Sequence, residues 1–200
     1  MEPEELIANV EKALRAEFAG SRLYKLLRST PGRSTTFGAA TIAIKSFYKA
    51  LGERFGFTVA CGKLPGHAEG ERLYDVVWYS PGPNSTFARQ ALVLETEMKA
   101  GTPKTIGSLV DRDFSKLVQA RADIRVWMAP VHNTELLKGH IASCKRHISE
   151  FSHSLRGDCY IFIAYNWTSS ETFFELYRHG KVDENAPNVE QPQVDVATSY

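Results

Sequence analysis

Cysteine is scarce in this chain. Cys61, Cys144 and Cys159 are an odd number, widely spaced and without a C-x-x-C pair, which argues against a disulfide framework or a zinc ribbon and fits a reducing compartment. No apolar run approaches the ~20 residues that a membrane span needs. The start, Met1-Glu-Pro-Glu-Glu5, is acidic where a secretory signal would be basic. A soluble, cytoplasmic protein is therefore expected. A surplus of one charge is missing too: 24 basic residues face 23 acidic ones, so a nucleic-acid-binding surface would have to be local. G-x-S-x-G, a Walker loop and H-E-x-x-H are also absent, and no internal repeat is visible, which removes the common signatures of serine hydrolases, P-loop enzymes and zincins.

What remains is ample apolar material, 43% of 200 residues, enough for one sizeable core. A single domain over residues 1–180 is expected, followed by a polar, aperiodic tail at 181–200 that carries Pro187 and Pro192 and reads as disordered. Leu6, Val10 and Leu14 recur at helical spacing behind an acidic first turn, predicting a helix over 4–19. A second helix over about 39–55 presents Ile44, Phe47, Tyr48, Leu51 and Phe55, with Gly56 where a C-cap glycine belongs. Short strands are predicted at 57–61 and 73–79, the second after a glycine- and proline-containing turn at 62–71, and a third strand at 91–99 after the loop 80–85. A helix over about 106–121 with Val110, Phe114, Leu117 and Val118 on one face, then a strand at 124–129, gives αβ alternation and hence a mixed or parallel sheet. Asn133 or Thr134 can cap a longer helix with the stripe Leu137, Ile141, Cys144, Ile148, Phe151 and Leu155. Strands at 160–165 and 173–177 follow, the latter at an edge.

Chemistry concentrates in the third strand, Ala91-Leu-Val-Leu-Glu-Thr-Glu-Met-Lys99. Period-two geometry places Val93, Glu95, Glu97 and Lys99 on one face and Leu92, Leu94, Thr96 and Met98 on the other. Three charges in a row on a central strand are costly to bury unless they pair or hold a metal, while on an edge they would simply be solvated. Asp75, one strand earlier, can join Glu95 or Glu97 by strand pairing. Clustered carboxylates with retained waters suit Mg²⁺, with Mn²⁺ as a substitute. A bound metal can polarise a phosphate and lower the pKa of a water, and Lys99 can orient that water.

Asp75 followed by Glu97-Met-Lys99, in an αβββαβ order over 39–129, resembles the PD-(D/E)XK nuclease superfamily, the restriction-endonuclease-like fold. The resemblance covers about half the chain. It implies an α/β architecture with a mixed central sheet flanked by helices, to which the first helix, the long later helix and the last strands are additions. It also implies Asp75 and Glu97 as metal ligands, Lys99 as the catalytic lysine, and a Mg²⁺-dependent hydrolysis of phosphodiester bonds, in DNA in the first place. The proline of the motif is absent, with Tyr74 before the aspartate, and Glu95-Thr-Glu97 permits a second register in which Glu95 is the ligand and Glu97 replaces the lysine. Lys116, in Asp111-Arg-Asp-Phe-Ser-Lys-Leu117, is a supporting candidate beside its plainer reading as a solvated lysine, and Glu53 is the only acid on the helix over 39–55. The expected partner is nucleic acid and not a membrane; pairing of two copies stays open. A catalytically inactive nucleic-acid-binding or regulatory module on the same fold is the alternative.

Three further patterns read as structure first. His140, Cys144 and His147 share a helix face but place the cysteine in the apolar stripe, so a buried thiol between two histidines outranks a zinc site. Lys138, Lys145, Arg146 and Arg156, with Arg28 and Arg33, could touch phosphates or form a solvated surface. Tyr160, Phe162, Tyr165, Trp167, Phe173, Phe174 and Tyr177 read as sheet core before base-stacking platform.

Overall fold

The computed structural model describes residues 1–18, 34–62, 64, 73–83, 87–96, 113–131, 134–166 and 171–181. Among them the elements run α1 (Pro3–Phe18), α2 (Ser34–Arg54), β1 (Thr58–Cys61), β2 (Val76–Pro81), β3 (Phe87–Thr96), α3 (Ser115–Gln119), β4 (Ile124–Val131), α4 (Thr134–Glu150), β5 (Cys159–Asn166) and β6 (Thr172–Arg178). The strands form one six-stranded sheet in sequence order. β1, β2 and β3 make an antiparallel meander. β3, β4 and β5 are parallel, and β6 returns antiparallel at the edge. The architecture is therefore α/β with a mixed sheet flanked by helices, as the alternation of patterns implied.

Each face of the sheet has its own helices and its own core. On one face Leu6, Val10 and Leu14 of α1 and Ala40, Ile44, Tyr48 and Leu51 of α2 pack on Val76, Trp78, Leu92, Leu94, Ile124, Val126 and Ile161. On the other, Leu117 and Val118 of α3 and Leu137, Ile141, Cys144 and Ile148 of α4, with Phe114 just before α3, pack on Val77, Val93, Trp127, Tyr160 and Phe162. A strand can serve both cores because its side chains alternate, so the central strands are apolar on both faces. Phe114 meets Trp127 edge-on, ring centroids 6.0 Å apart, which keys the α3 turn against β4. Gly52 lets α2 lie close to the sheet: a Cβ there would come 2.7 Å from Trp78 and from Val59. Gly56 takes φ 83°, the left-handed turn that ends α2 and releases the chain into β1.

Several expected boundaries move. α2 begins at Ser34, earlier than expected. β2 begins at Val76 and runs through Pro81, so Leu73 is exposed and Asp75 precedes the strand instead of lying in it. A proline is tolerated there because it closes the strand. β3 starts at Phe87. Leu155 does not belong to the α4 stripe: the helix ends at Glu150, and Leu155 sits exposed in the following turn, where its N–H donates to Asp158 Oδ2 at 2.9 Å. Val110, Trp167, the turn residues 65–72 and the tail over 182–200 lie outside the described residues. No helix among the described residues is long and apolar enough to cross a membrane.

Candidate functional site

β3 carries the site's first acid. Leu94 faces the α1/α2 core and Val93 faces the α3/α4 core, so alternation turns Glu95 toward α3. There Lys116 Nζ lies 3.2 Å from Glu95 Oε1 and 2.8 Å from Asp113 Oδ1. Glu95 is only 5% exposed. Burial pushes its carboxyl up to about 8, and the neighbouring Asp75 charge adds to the rise, while Lys116 opposes it. Trp127 is the parallel-strand neighbour of Glu95, and its indole Nε1 is buried without a hydrogen-bond acceptor among the described residues.

Asp75 enters from the adjacent chain segment. Val76 pairs with Leu94, so the residue before Val76 reaches the end of β3, and Thr96 N–H donates to Asp75 Oδ2 at 2.9 Å. The other carboxylate oxygen, Oδ1, is 2.9 Å from Lys45 Nζ. Lys45 comes from α2, is 2% exposed, and also donates to the Gly62 carbonyl at 3.2 Å. Tyr74 completes the joint by donating its hydroxyl to the Lys116 carbonyl at 3.4 Å. One acid at the end of β3 and one just before β2 thus meet two lysines from helices on opposite faces of the sheet.

Of the expected site residues, Asp75 and Glu95 are brought together and Lys116 joins them. Glu97 and Lys99 lie outside the described residues, as do Asp111, Arg28 and Arg33. Glu53 is not part of the site: it is exposed near the end of α2 and pairs with Lys49 one turn earlier. The α2 residue that reaches the site is Lys45, which pattern reading passed over because it looks like one more charge on an amphipathic helix. Its signal was position: Lys45 follows Ile44 and lies three residues before Tyr48, both fully buried.

Among the described residues no group of three or more histidine, cysteine, aspartate or glutamate side chains is gathered as a metal cluster. Cys144 is buried in the α4 core, His147 packs against Phe114 at 6.1 Å between ring centroids, and no zinc-ligand arrangement results. All three cysteines are buried and none forms a disulfide. Lys145 pairs with Glu175 and Lys138 with Glu135. Tyr160, Phe162 and Tyr165 are buried sheet residues, and Phe173, Phe174 and Tyr177 pack against the two cores, so the C-terminal aromatics build the sheet.

The donor set at Asp75 and Glu95 fits a hard, largely hydrated cation. Mg²⁺ binds through one or two carboxylates and keeps several waters. Each acid here has one oxygen held by a lysine, and the under-compensated charge on Glu95 is what a cation relieves. Comparison with protein-family models, with curated proteins and with solved structures returned no match.

Proposed function

We propose that the chain is a Mg²⁺-dependent nuclease-like protein of the PD-(D/E)XK, restriction-endonuclease-like kind, acting on phosphodiester bonds in DNA. The observation that carries this reading is the meeting of Asp75 with Glu95 at the end of β3, joined by the Thr96 N–H bond within an αβββαβ order of elements. Glu95 offers the metal the oxygen that Lys116 does not hold, Asp75 shares lone pairs of oxygens already bound to Lys45 and the Thr96 N–H, and Glu97 and Lys99 follow on the same stretch of chain. A bound Mg²⁺ supplies Lewis-acid charge at the scissile phosphate and an acidified water. Lys45 and Lys116 fix the two carboxylates, and the Trp127 N–H offers a donor beside Glu95. Lys99, in the E-x-K register, orients the attacking water.

The test is nicking and linearisation of plasmid DNA with Mg²⁺ or Mn²⁺. Wild type is compared with Asp75→Ala, Glu95→Ala, Glu97→Ala and Lys99→Ala. The expected result is cleavage that disappears in Asp75→Ala and in at least one glutamate variant, the pattern choosing between the E-x-K and E-x-E registers. Equal cleavage by all four variants and wild type sinks the reading.

One observation favours a second reading. Both acids are already paired with lysines, as in a structural ion-pair cluster, which suits an inactive nucleic-acid-binding or regulatory module on the same fold. Salt-sensitive DNA binding without cleavage under either metal would select it.

A further inference from the structure

A cavity of about 420 Å³ opens away from Asp75, where β4 and β5 begin, lined by Arg89, Gln90, Arg121, Asp123, Arg125 and Asp158 among others. Its β3 residues are Ala88, Arg89 and Gln90, whereas Glu95 and Thr96 are the last described residues of that strand. Three guanidiniums face two carboxylates there, leaving a net positive lining.

The arginines are built into the fold. Arg125 is 2% exposed. Its Nε and Nη2 donate to the Ala120 carbonyl at 3.1 and 2.8 Å, Nη2 also reaches Asp158 Oδ1 at 3.3 Å, and its guanidinium lies over the Tyr160 ring, 5.1 Å from the centroid. Arg89 Nε donates to Asp123 Oδ2 at 2.6 Å and Nη1 to the Met1 carbonyl at 2.8 Å. Arg121 donates only to a backbone carbonyl, that of His153, at 3.3 Å. Bracing between strands accounts for these bonds and no more. It leaves Arg125 Nη1 and Arg89 Nη2 buried with no acceptor among the described residues. Buried donors are nearly always satisfied, and an orphan calls for an explanation such as an absent ion. Arg89 and Arg125 both line the one cavity, so a single ligand there can serve both orphans.

We infer that this cavity binds a small ligand through an oxyanion group, a phosphate monoester or a carboxylate. A guanidinium presents a planar fork that matches both groups. The volume suits a small molecule more than a groove-bound polymer. Asp123 and Asp158, held by the arginines, are acceptors for hydroxyl or amine groups elsewhere on the ligand. Binding requires the Arg125 and Arg89 side chains to turn their orphan N–H groups, buried as they stand, toward the anion. The site stands independently of the nuclease reading and needs no metal.

The experiment is a thermal-shift and calorimetric titration of the full chain in EDTA with inorganic phosphate and with succinate, against chloride at matched ionic strength. The wild type is expected to gain thermal stability from at least one of the two. Arg121→Gln and Arg89→Gln are expected to weaken the binding about tenfold or more, each losing a charge-assisted contact. Arg121 is exposed, so its variant keeps the test available if Arg89→Gln folds poorly. Glu95→Gln, outside the cavity, is expected to bind as wild type does. Tighter phosphate binding assigns a phosphate monoester and tighter succinate binding a carboxylate. No gain over chloride in wild type, or equal binding by wild type and Arg121→Gln, overturns the inference.

Discussion

Two ends of one sheet handle buried charge in two ways. Toward the end of β3, Asp75 and Glu95 meet Lys45 and Lys116, and Glu95 is under-compensated, driven up to about 8 by burial and by Asp75. Where β4 and β5 begin, Arg125 and Arg89 meet Asp158 and Asp123, and the surplus is on the cationic side, with orphan N–H groups on both arginines. Lysine presents a point charge that pins one oxygen and leaves the other available. Arginine presents a rigid fork that satisfies several acceptors and still has donors left. The proposed cation belongs at the first end and the proposed anion at the second.

The contrast breaks most visibly in stability. Arg125→Met should cost about 3–5 kcal/mol in urea unfolding, because it leaves Asp158 and the Ala120 carbonyl inside without their donor. Lys45→Met should cost less, about 1–3 kcal/mol. Asp75 is 17% exposed at its side chain and keeps the Thr96 N–H. Equal losses at the two positions would mean that the ends are held alike.

Acidity sharpens the comparison next. Glu95 has its folded pKa raised to about 8 from an ordinary 4.5, so the folded state holds a proton that the unfolded chain has already released. Stability should therefore fall as pH rises from about 5 to 8, on the order of 1–3 kcal/mol. Glu95→Gln should flatten that part of the profile, and Mg²⁺ should restore stability at the alkaline side in wild type alone. Unfolding curves across this range check all three. A profile unchanged by Glu95→Gln would remove Glu95 as the source.

The smallest effect is expected at Lys116→Ala. Lys116 is 33% exposed at its side chain, so the loss should be about 1 kcal/mol or less. Its signature is electrostatic: Lys116 opposes the rise at Glu95, and removing it should move the pH-dependent fall to still higher pH.

Much of the fold was legible because it follows from periodicity. Leu6, Val10 and Leu14 at helical spacing, Gly56 after α2, and the doubly apolar runs 91–94 and 160–165 each have one economical structural solution. Strand ends were less legible: nothing local distinguishes Asp75 inside a strand from Asp75 just before it, because pairing with β3 sets that boundary. Of the candidate site, Asp75 and Glu95 were readable as acids on or beside consecutive strands that pair, although Asp75 lies just before its strand. Lys45 was less so, since its place beside Ile44 and Tyr48 hints at burial but not at a partner, and the arginine-lined cavity was not, since Arg89, Arg121 and Arg125 scatter over two strands and a loop.

The sequence by itself determined which residues are apolar on which period, and so the six strands, the helices and the alternation that turns Glu95 and Leu94 to opposite faces. Only the tertiary structure decided which charges meet. Period is a property of neighbouring residues, whereas the company of a buried carboxylate or guanidinium depends on sheet register and helix docking, which bring together positions as distant as Lys45 and Asp75, or Arg125 and Asp158.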